Sequence, residues 1–251
     1  MKLFNKAAAA GLVGAVILAS AGCANNNPGT DTSGSNSETA TSEVISESTE
    51  ETKSETTNAA HQVTVEAVTL KSFKDDTYEY AMVVPKLVVD GKEATEINKA
   101  LSDHIQKEYP LEVDGEHADG MATKIEYGVK DNIVSIFIHA GDTGTDYFTI
   151  EVYNYDLDTL KPLDDSDIAK RLGMADDEIF SKTTELVKKY CTERDYDVEK
   201  STASINYDKI TPCILPDGNT GVLAKVAYGK GGQFEGCDTA RLFNLTKMEY
   251  A

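Results

Sequence analysis

From residue 61 onward the apolar positions follow two rhythms. Val63, Val65 and Ala67 alternate with polar neighbours, which predicts a strand. Residues 78–89 form a richer strand segment, and Pro85 inside it marks an edge or a bulge, because proline donates no ladder hydrogen bond. Asp90-Gly91 predicts a turn. Over 93–109 the period changes. Ile97, Leu101 and Ile105 recur every four residues, with Ala100 and His104 alongside, so a helix is predicted that Pro110 ends. Residues 111–120 read as polar and turn-like. Three strands are predicted next, over 123–129, 133–139 and 146–157, with Asp131-Asn132 as the first turn. The middle one is nearly all apolar, hence central. The third sets Phe148, Ile150 and Val152 against Thr149, Glu151 and Tyr153.

An acidic helix start follows at Leu163 to Ile168. A second helix is predicted over 176–191, with Ile179, Thr183, Leu186, Val187 and Tyr190 on one face. Its opening acids Asp176, Asp177 and Glu178 suit the positive end of the helix dipole. The last third returns to strands over 210–215, 222–228 and 239–245, with a turn at 216–219 and a glycine-rich loop over 229–236. Helices and strands in separate runs indicate an α+β fold: a mostly antiparallel sheet with two or three helices. Residues 61–251 are expected to form one extracellular domain, with 110–120 as the place where two subdomains would meet.

The first 60 residues follow neither rhythm. Lys2 and Lys6 precede an uncharged run from Ala7 to Ala19, too short for the ~20 residues of a bilayer-spanning helix but suited to a signal peptide over 1–22. The run ends Ala19-Ser20-Ala21-Gly22-Cys23, which resembles a bacterial lipobox. Cys23 is therefore the expected lipidation site. Residues 24–60 hold 15 Ser or Thr, seven acids and no aromatic residue. Such a stretch buries too little apolar surface to offset chain entropy, and a disordered tether is expected. The expected location is the outer face of the cytoplasmic membrane, held by lipid.

Charge narrows the partners. The chain carries 43 acidic and 24 basic side chains, a formal −19. Residues 61–251 keep 36 acids and 21 bases, or −15. That excludes the basic face a nucleic-acid binder needs. Cations, basic proteins or neutral molecules suit such a surface better.

Candidate chemistry is sparse. The loop YGKGGQFEG lacks GxxxxGK[ST] and sits between strands rather than before a helix, so a hairpin reading is preferred to a phosphate site. Asp156, Asp158 and Asp164, or Asp164, Asp165 and Asp167, offer oxygens, but neither set has calcium-loop spacing. Glu116, His117 and Asp119 lack a zinc pattern. His139 precedes Gly141-Asp142-Thr143-Gly144, a single aspartic-protease-like triplet where two would be needed. No catalytic residue, metal site or cofactor is expected. Of the cysteines beyond the tether, Cys213 and Cys237 belong to one three-stranded unit and are the pair a disulfide would join, leaving Cys191 odd. Buried, unbridged thiols are the alternative. The loops are the expected binding surface. Asp142, Thr143 and Tyr147 in one, with Tyr228, Lys230, Gln233 and Phe234 in the other, would form one contact edge if both leave the same end of the sheet.

The segment VYNYDLDTLKPL over 152–163 is similar to a "strand-N-[FY]-D-L-x-T-G-K-x-L" signature. Val83-Val84-Pro85 with Ile97-Asn98 resembles the opening "I-x-[IVY]-P … I-N" of the same module, and the Pro216-Asp217-Gly218 turn fits its end. This is the extracellular module of RsiV-type lysozyme-sensing anti-sigma factors and of PdaC-type peptidoglycan deacetylases. Leu160 stands where that signature has Gly, and Gly141-Asp142-Thr143-Gly144-Thr145 replaces a Gly-Gly-Ala-His-type loop. The resemblance implies a Gram-positive-type surface protein. With no deacetylase motif, the expectation is a non-catalytic, monomeric lipoprotein that binds a protein or cell-wall component, a basic host protein such as lysozyme among them. An envelope enzyme and a calcium- or metabolite-binding lipoprotein are the alternatives.

Overall fold

The computed structural model describes residues 61–74, 79–114, 117–142, 148–229, 231, 235 and 237–251. The expected signal peptide and tether, with Cys23, lie outside them. Strands β1 (Val63–Lys74) and β2 (Glu79–Val89) pair antiparallel, with a bulge between Thr69 and Lys71. At the next turn Asp90 and Gly91 take φ of 51° and 74°. That turn joins β2 to the two-residue β3 (Lys92–Glu93). The backbone groups of Val83 and Leu87 point away from β1, to Thr123 Oγ1 and to the Asn98 side chain. Pro85 lies between them on that same edge, so its missing N–H costs no ladder bond.

Helix α1 (Thr95–Glu108) buries Ile97, Leu101 and Ile105, the three positions its period predicts. Each such side chain contributes roughly 1.5–3 kcal/mol on burial. The helix packs over a five-stranded sheet of order β4-β5-β6-β7-β8: β4 (Leu111–Asp114), β5 (His117–Lys130), β6 (Ile133–Asp142), β7 (Phe148–Asp156) and β8 (Lys161–Pro162). Residues 111–120 thus belong to a hairpin rather than a turn, with Leu111 opposite Gly120. Its short strands are largely polar because the hairpin lies at the sheet edge, and only Leu111 is fully buried. So short a run carries no hydrophobic period to read. The β5–β6 turn has Asp131 and Asn132 at φ 48° and 58°, the left-handed pair a tight hairpin requires. Leu160, in the β7–β8 turn, has φ 52° where the resembled signature has Gly. A left-handed L-residue costs roughly 1–2 kcal/mol, offset here by packing of its side chain on the α1 core.

The described residues hold four helices rather than two or three, two of them short. Beyond α1 they are α2 (Asp165–Arg171), α3 (Asp176–Glu193) and the short α4 (Val198–Thr202), whose Asp197 cap accepts from the Lys200 N–H. A second sheet of order β12-β11-β10-β9 closes the chain: β9 (Ile210–Ile214), β10 (Thr220–Ala227), β11 (Asp238–Asn244) and β12 (Glu249–Tyr250). Helix α3 covers it through Ile179, Leu186, Val187 and Tyr190 against Val222, Val226 and Phe243. The class is α+β with antiparallel sheets, three of them among the described residues rather than one.

A polar row joins the two larger sheets. Gly128, Ser135 and Asn154 lie side by side across β5, β6 and β7. Asn154 Nδ2 donates to the Pro212 carbonyl at 3.1 Å, and the Ile214 N–H donates to Ser135 Oγ at 2.7 Å. Ser135 in turn donates to Asn154 Oδ1 at 2.5 Å. A Cβ on Gly128 would stand 2.2 Å from the Leu215 carbonyl oxygen, so only glycine lets the chain pass. The end of β9 therefore runs across the strands of the larger sheet. Phe137, Cys213 and Leu215 fill the apolar space beside this row.

Candidate functional site

The five-stranded sheet has two covered faces, and each gathers charged groups. On the α1 face, β7 contributes Glu151 and Tyr153, which the alternation assigned to a polar side. That side is not in solvent, because α1 lies across it. His104, one turn past Leu101 on the helix, places Nε2 at 2.7 Å from Glu151 Oε2. The Tyr153 hydroxyl lies 2.8 Å from the same oxygen and 3.0 Å from His104 Nε2. The Tyr109 hydroxyl also reaches Glu151. The hydrogen-bonded carboxylate raises the His104 pKa against the opposing effect of burial. Burial works against the Glu151 charge, and bonds from His104 and Tyr153 more than offset it, so its carboxyl is held below the usual range. Burial first, and then the Glu151 charge, push the Tyr109 and Tyr153 hydroxyls far up. Every group in this cluster is paired within it, which makes it a clamp between helix and sheet.

The opposite face opens into a cleft of about 500 Å³, within the range of small-ligand sites. Its floor is apolar: Ile150 of β7, Leu242 of β11, and Leu215 and Pro216 after β9. Charge stands around it. His139 Nε2 lies 3.1 Å from Glu126 Oε2, an ion-pair contact whose angle falls outside hydrogen-bond geometry, so that Nε2 is buried without a hydrogen-bond partner. His139, and after it Lys124, hold the Glu126 carboxyl down at about 2. Lys247 is paired with Asp217 at 2.9 Å and reaches Glu249 at 3.7 Å.

Two arginines behave differently. Arg194, just past the end of α3, lies over the Tyr190 ring at 4.7 Å and over the Tyr250 ring at 5.5 Å. Arg241 Nε donates to the Tyr190 hydroxyl at 2.8 Å, and Nη1 donates to Thr239 Oγ1 and the Ala240 carbonyl. Among the described residues neither has a carboxylate partner within ion-pair distance, whereas Arg171 is paired with the buried Asp156. Aromatic stacking fixes a guanidinium plane while leaving its charge unneutralised.

The expected site residues do not converge here. Thr143, Tyr147, Lys230, Gln233 and Phe234 lie outside the described residues, as does the Asp142 side chain. Tyr228 is described, and its ring lies tilted against that of Tyr196 with centres 5.0 Å apart. The expected contact edge falls on loops that lie mostly outside the described residues, and the single sheet it assumed is two. The 143–147 connection joins β6 to β7 of the five-stranded sheet, and the 228–237 connection joins β10 to β11 of the other. The Cys213–Cys237 bridge is absent as well: Cys191, Cys213 and Cys237 are all free thiols. Cys213 pairs with Gly221 at one end of β10, and Cys237 precedes the Asp238–Ala227 pair at the other. Six residues of strand separate them, roughly 20 Å at strand rise. Burial pushes the Cys213 thiol far up, as befits a packed apolar residue. Of the calcium candidates, Asp156 is taken by Arg171 and Thr159, and Asp158 by His61 and Asn132. Among the described residues no three His, Cys, Asp or Glu side chains converge on a metal position, and no helix is long and apolar enough to cross a membrane.

Arg194, Arg241, Tyr190 and Tyr250 were not legible as a site. They come from α3, β11 and β12, and no local motif joins them. The available signal was scarcity, since the chain holds three arginines in all, beside 21 lysines. No protein-family model matches the chain, and a search of curated proteins returns no match.

Proposed function

We propose that the chain is a lipid-anchored surface protein that captures a ligand in the cleft between its two larger sheets and does not transform it. The observation that carries this reading is the pair Arg194 and Arg241, held by tyrosine and, among the described residues, without a carboxylate partner in a domain of charge −15. The lining supports recognition over chemistry. No Ser, Thr or Cys is among the residues lining it, and its one His–Glu pair is turned on itself. The signal-like run ending at Cys23 supports presentation at the membrane, as does the place of the resembled module outside the cell. The test is capture of wall fragments and secreted proteins by the full chain, with an Arg194→Gln/Arg241→Gln variant beside it. Capture lost in the variant is expected. Capture unchanged by the variant places binding elsewhere, and products accumulating with time would make the protein an enzyme. Cys23→Ala should release the chain from membranes, and membrane retention after a high-salt wash would overturn the anchor.

A second reading, a basic protein partner such as lysozyme, is favoured by the acidic starts of α2 and α3. Asp176 accepts the Tyr207 hydroxyl bond, and Asp165 acts on the same hydroxyl. Capture of that kind would fall steeply with salt and ignore the arginine substitutions.

A further inference from the structure

Resting on the reading of the cleft as a ligand site, we infer that it takes an organic carboxylate: one negative charge carried on an apolar body, with Arg194 and Arg241 as its anchors. Four observations lead there. The two arginines share one tyrosine, Arg194 on the face of the Tyr190 ring and Arg241 on its hydroxyl. Two like charges are thus held on one ring, Arg241 half-buried and Arg194 exposed, and an anion between them relieves their repulsion. Among the described residues no carboxylate lies within ion-pair distance of either arginine to supply that anion. The third cation of the cleft, Lys247, is already taken by Asp217 and Glu249.

The guanidinium fork of Arg194 matches a planar carboxylate with two parallel hydrogen bonds, a fit that a lysine ammonium does not offer, while Arg241, with Nε and Nη1 already bonded, adds positive charge beside it. The floor of Ile150, Leu215 and Leu242 suits a hydrocarbon or side-chain body beside that charge. The field of the domain decides between anions. With 36 acids against 21 bases in residues 61–251, each further negative charge on a ligand is repelled at long range. A monoanion therefore enters where phosphates and polyanions are turned away. Such a carboxylate is borne either by the end of a short peptide or by a free aliphatic or aryl acid.

The test is calorimetric titration of the full chain with four probes: N-acetyl-Leu-Phe, its C-terminal amide, 3-phenylpropionate and inorganic phosphate. The dipeptide acid is expected to bind at least ten-fold more tightly than the amide. Arg194→Gln, at an exposed position, should weaken the acid several-fold, and the double variant with Arg241→Gln at least ten-fold. Arg194→Lys should not restore it. Binding of 3-phenylpropionate as tight as the dipeptide identifies a free acid as the source, and binding of the dipeptide alone identifies a peptide end. Both outcomes support the assignment. Equal binding of acid and amide overturns the carboxylate while leaving the cleft as a ligand site. Phosphate binding as tightly as the acid overturns the single-charge argument. No heat from either acid at 10 mM overturns the inference outright, and capture that still depends on the arginines would then keep the reading of the cleft alive with a different ligand class.

Discussion

The two faces of the five-stranded sheet use the same types of residue to opposite ends. Under α1, a histidine, a carboxylate and two tyrosines close on one another. On the other face tyrosines hold two arginines, and among the described residues no carboxylate pairs with them. The difference lies in what covers each face. A helix lying flat along the sheet brings its own polar groups into register with the strands. A second sheet crossing the strands touches along the Gly128–Ser135–Asn154 row and leaves a wedge of open space beside it. Charge that is enclosed must be paired or it destabilises the fold. Charge at the wedge remains partly hydrated and is free to be paired by something else.

The largest expected effect breaks the joint that creates the difference. Asn154→Ala leaves Ser135 and the Pro212 carbonyl without their partner and opens a small cavity, so a loss of roughly 2–4 kcal/mol is expected from denaturant unfolding. An unchanged midpoint would mean that the polar row does not hold the sheets together.

Next comes the closed cluster itself. Glu151→Gln keeps the shape and removes the charge that His104, Tyr153 and Tyr109 share, and a loss of about 1–3 kcal/mol is expected. If the variant is as stable as wild type, the cluster is ornament rather than clamp.

The same cluster has a pH signature. The folded-state pKa of His104 is raised above the ordinary value near 6.5. Its contribution is therefore fully present below about 6.5 and is lost as pH rises through the raised value. Glu151 is lowered, so its share persists above the ordinary glutamate value and is lost as pH falls through the lowered one. His61, raised by Asp158 and then Asp90, has the same sign as His104. The informative measurement is the difference in pH dependence between wild type and His104→Gln. The alkaline decline should shrink in the variant, and parallel curves would remove His104 from the account.

The smallest effect belongs to the open face. Arg194→Gln should change stability by no more than about 0.5 kcal/mol, as for a surface residue, while impairing carboxylate binding. A large stability loss would make Arg194 part of the packing and erase the contrast between the faces.

Much of the architecture was legible because it rests on short-range rules. The spacing of Ile97, Leu101 and Ile105 defines α1 within its own four turns. Asp90-Gly91 and Asp131-Asn132 are turns because those residues tolerate positive φ. The apolar run 133–139 marks the central strand because both of its faces are covered. Other elements escaped for equally physical reasons. The strands β3, β8 and β12 have two residues each, too few to show a period. Residues 111–120 look like a turn because an edge hairpin buries little. Glu151 and Tyr153 look solvent-facing because the alternation of a strand reports polarity, not what lies above it.

Sequence alone determined the local elements, the acidic balance of the domain and the signal-like start, since each depends on neighbours within a few residues or on a simple sum. Tertiary structure alone decided that β9 crosses the larger sheet over Gly128, that Cys213 and Cys237 stand at opposite ends of β10, and that Arg194 and Arg241 meet at Tyr190. Those outcomes join residues tens of positions apart, and their energy comes from packing and desolvation, which have no period along the chain.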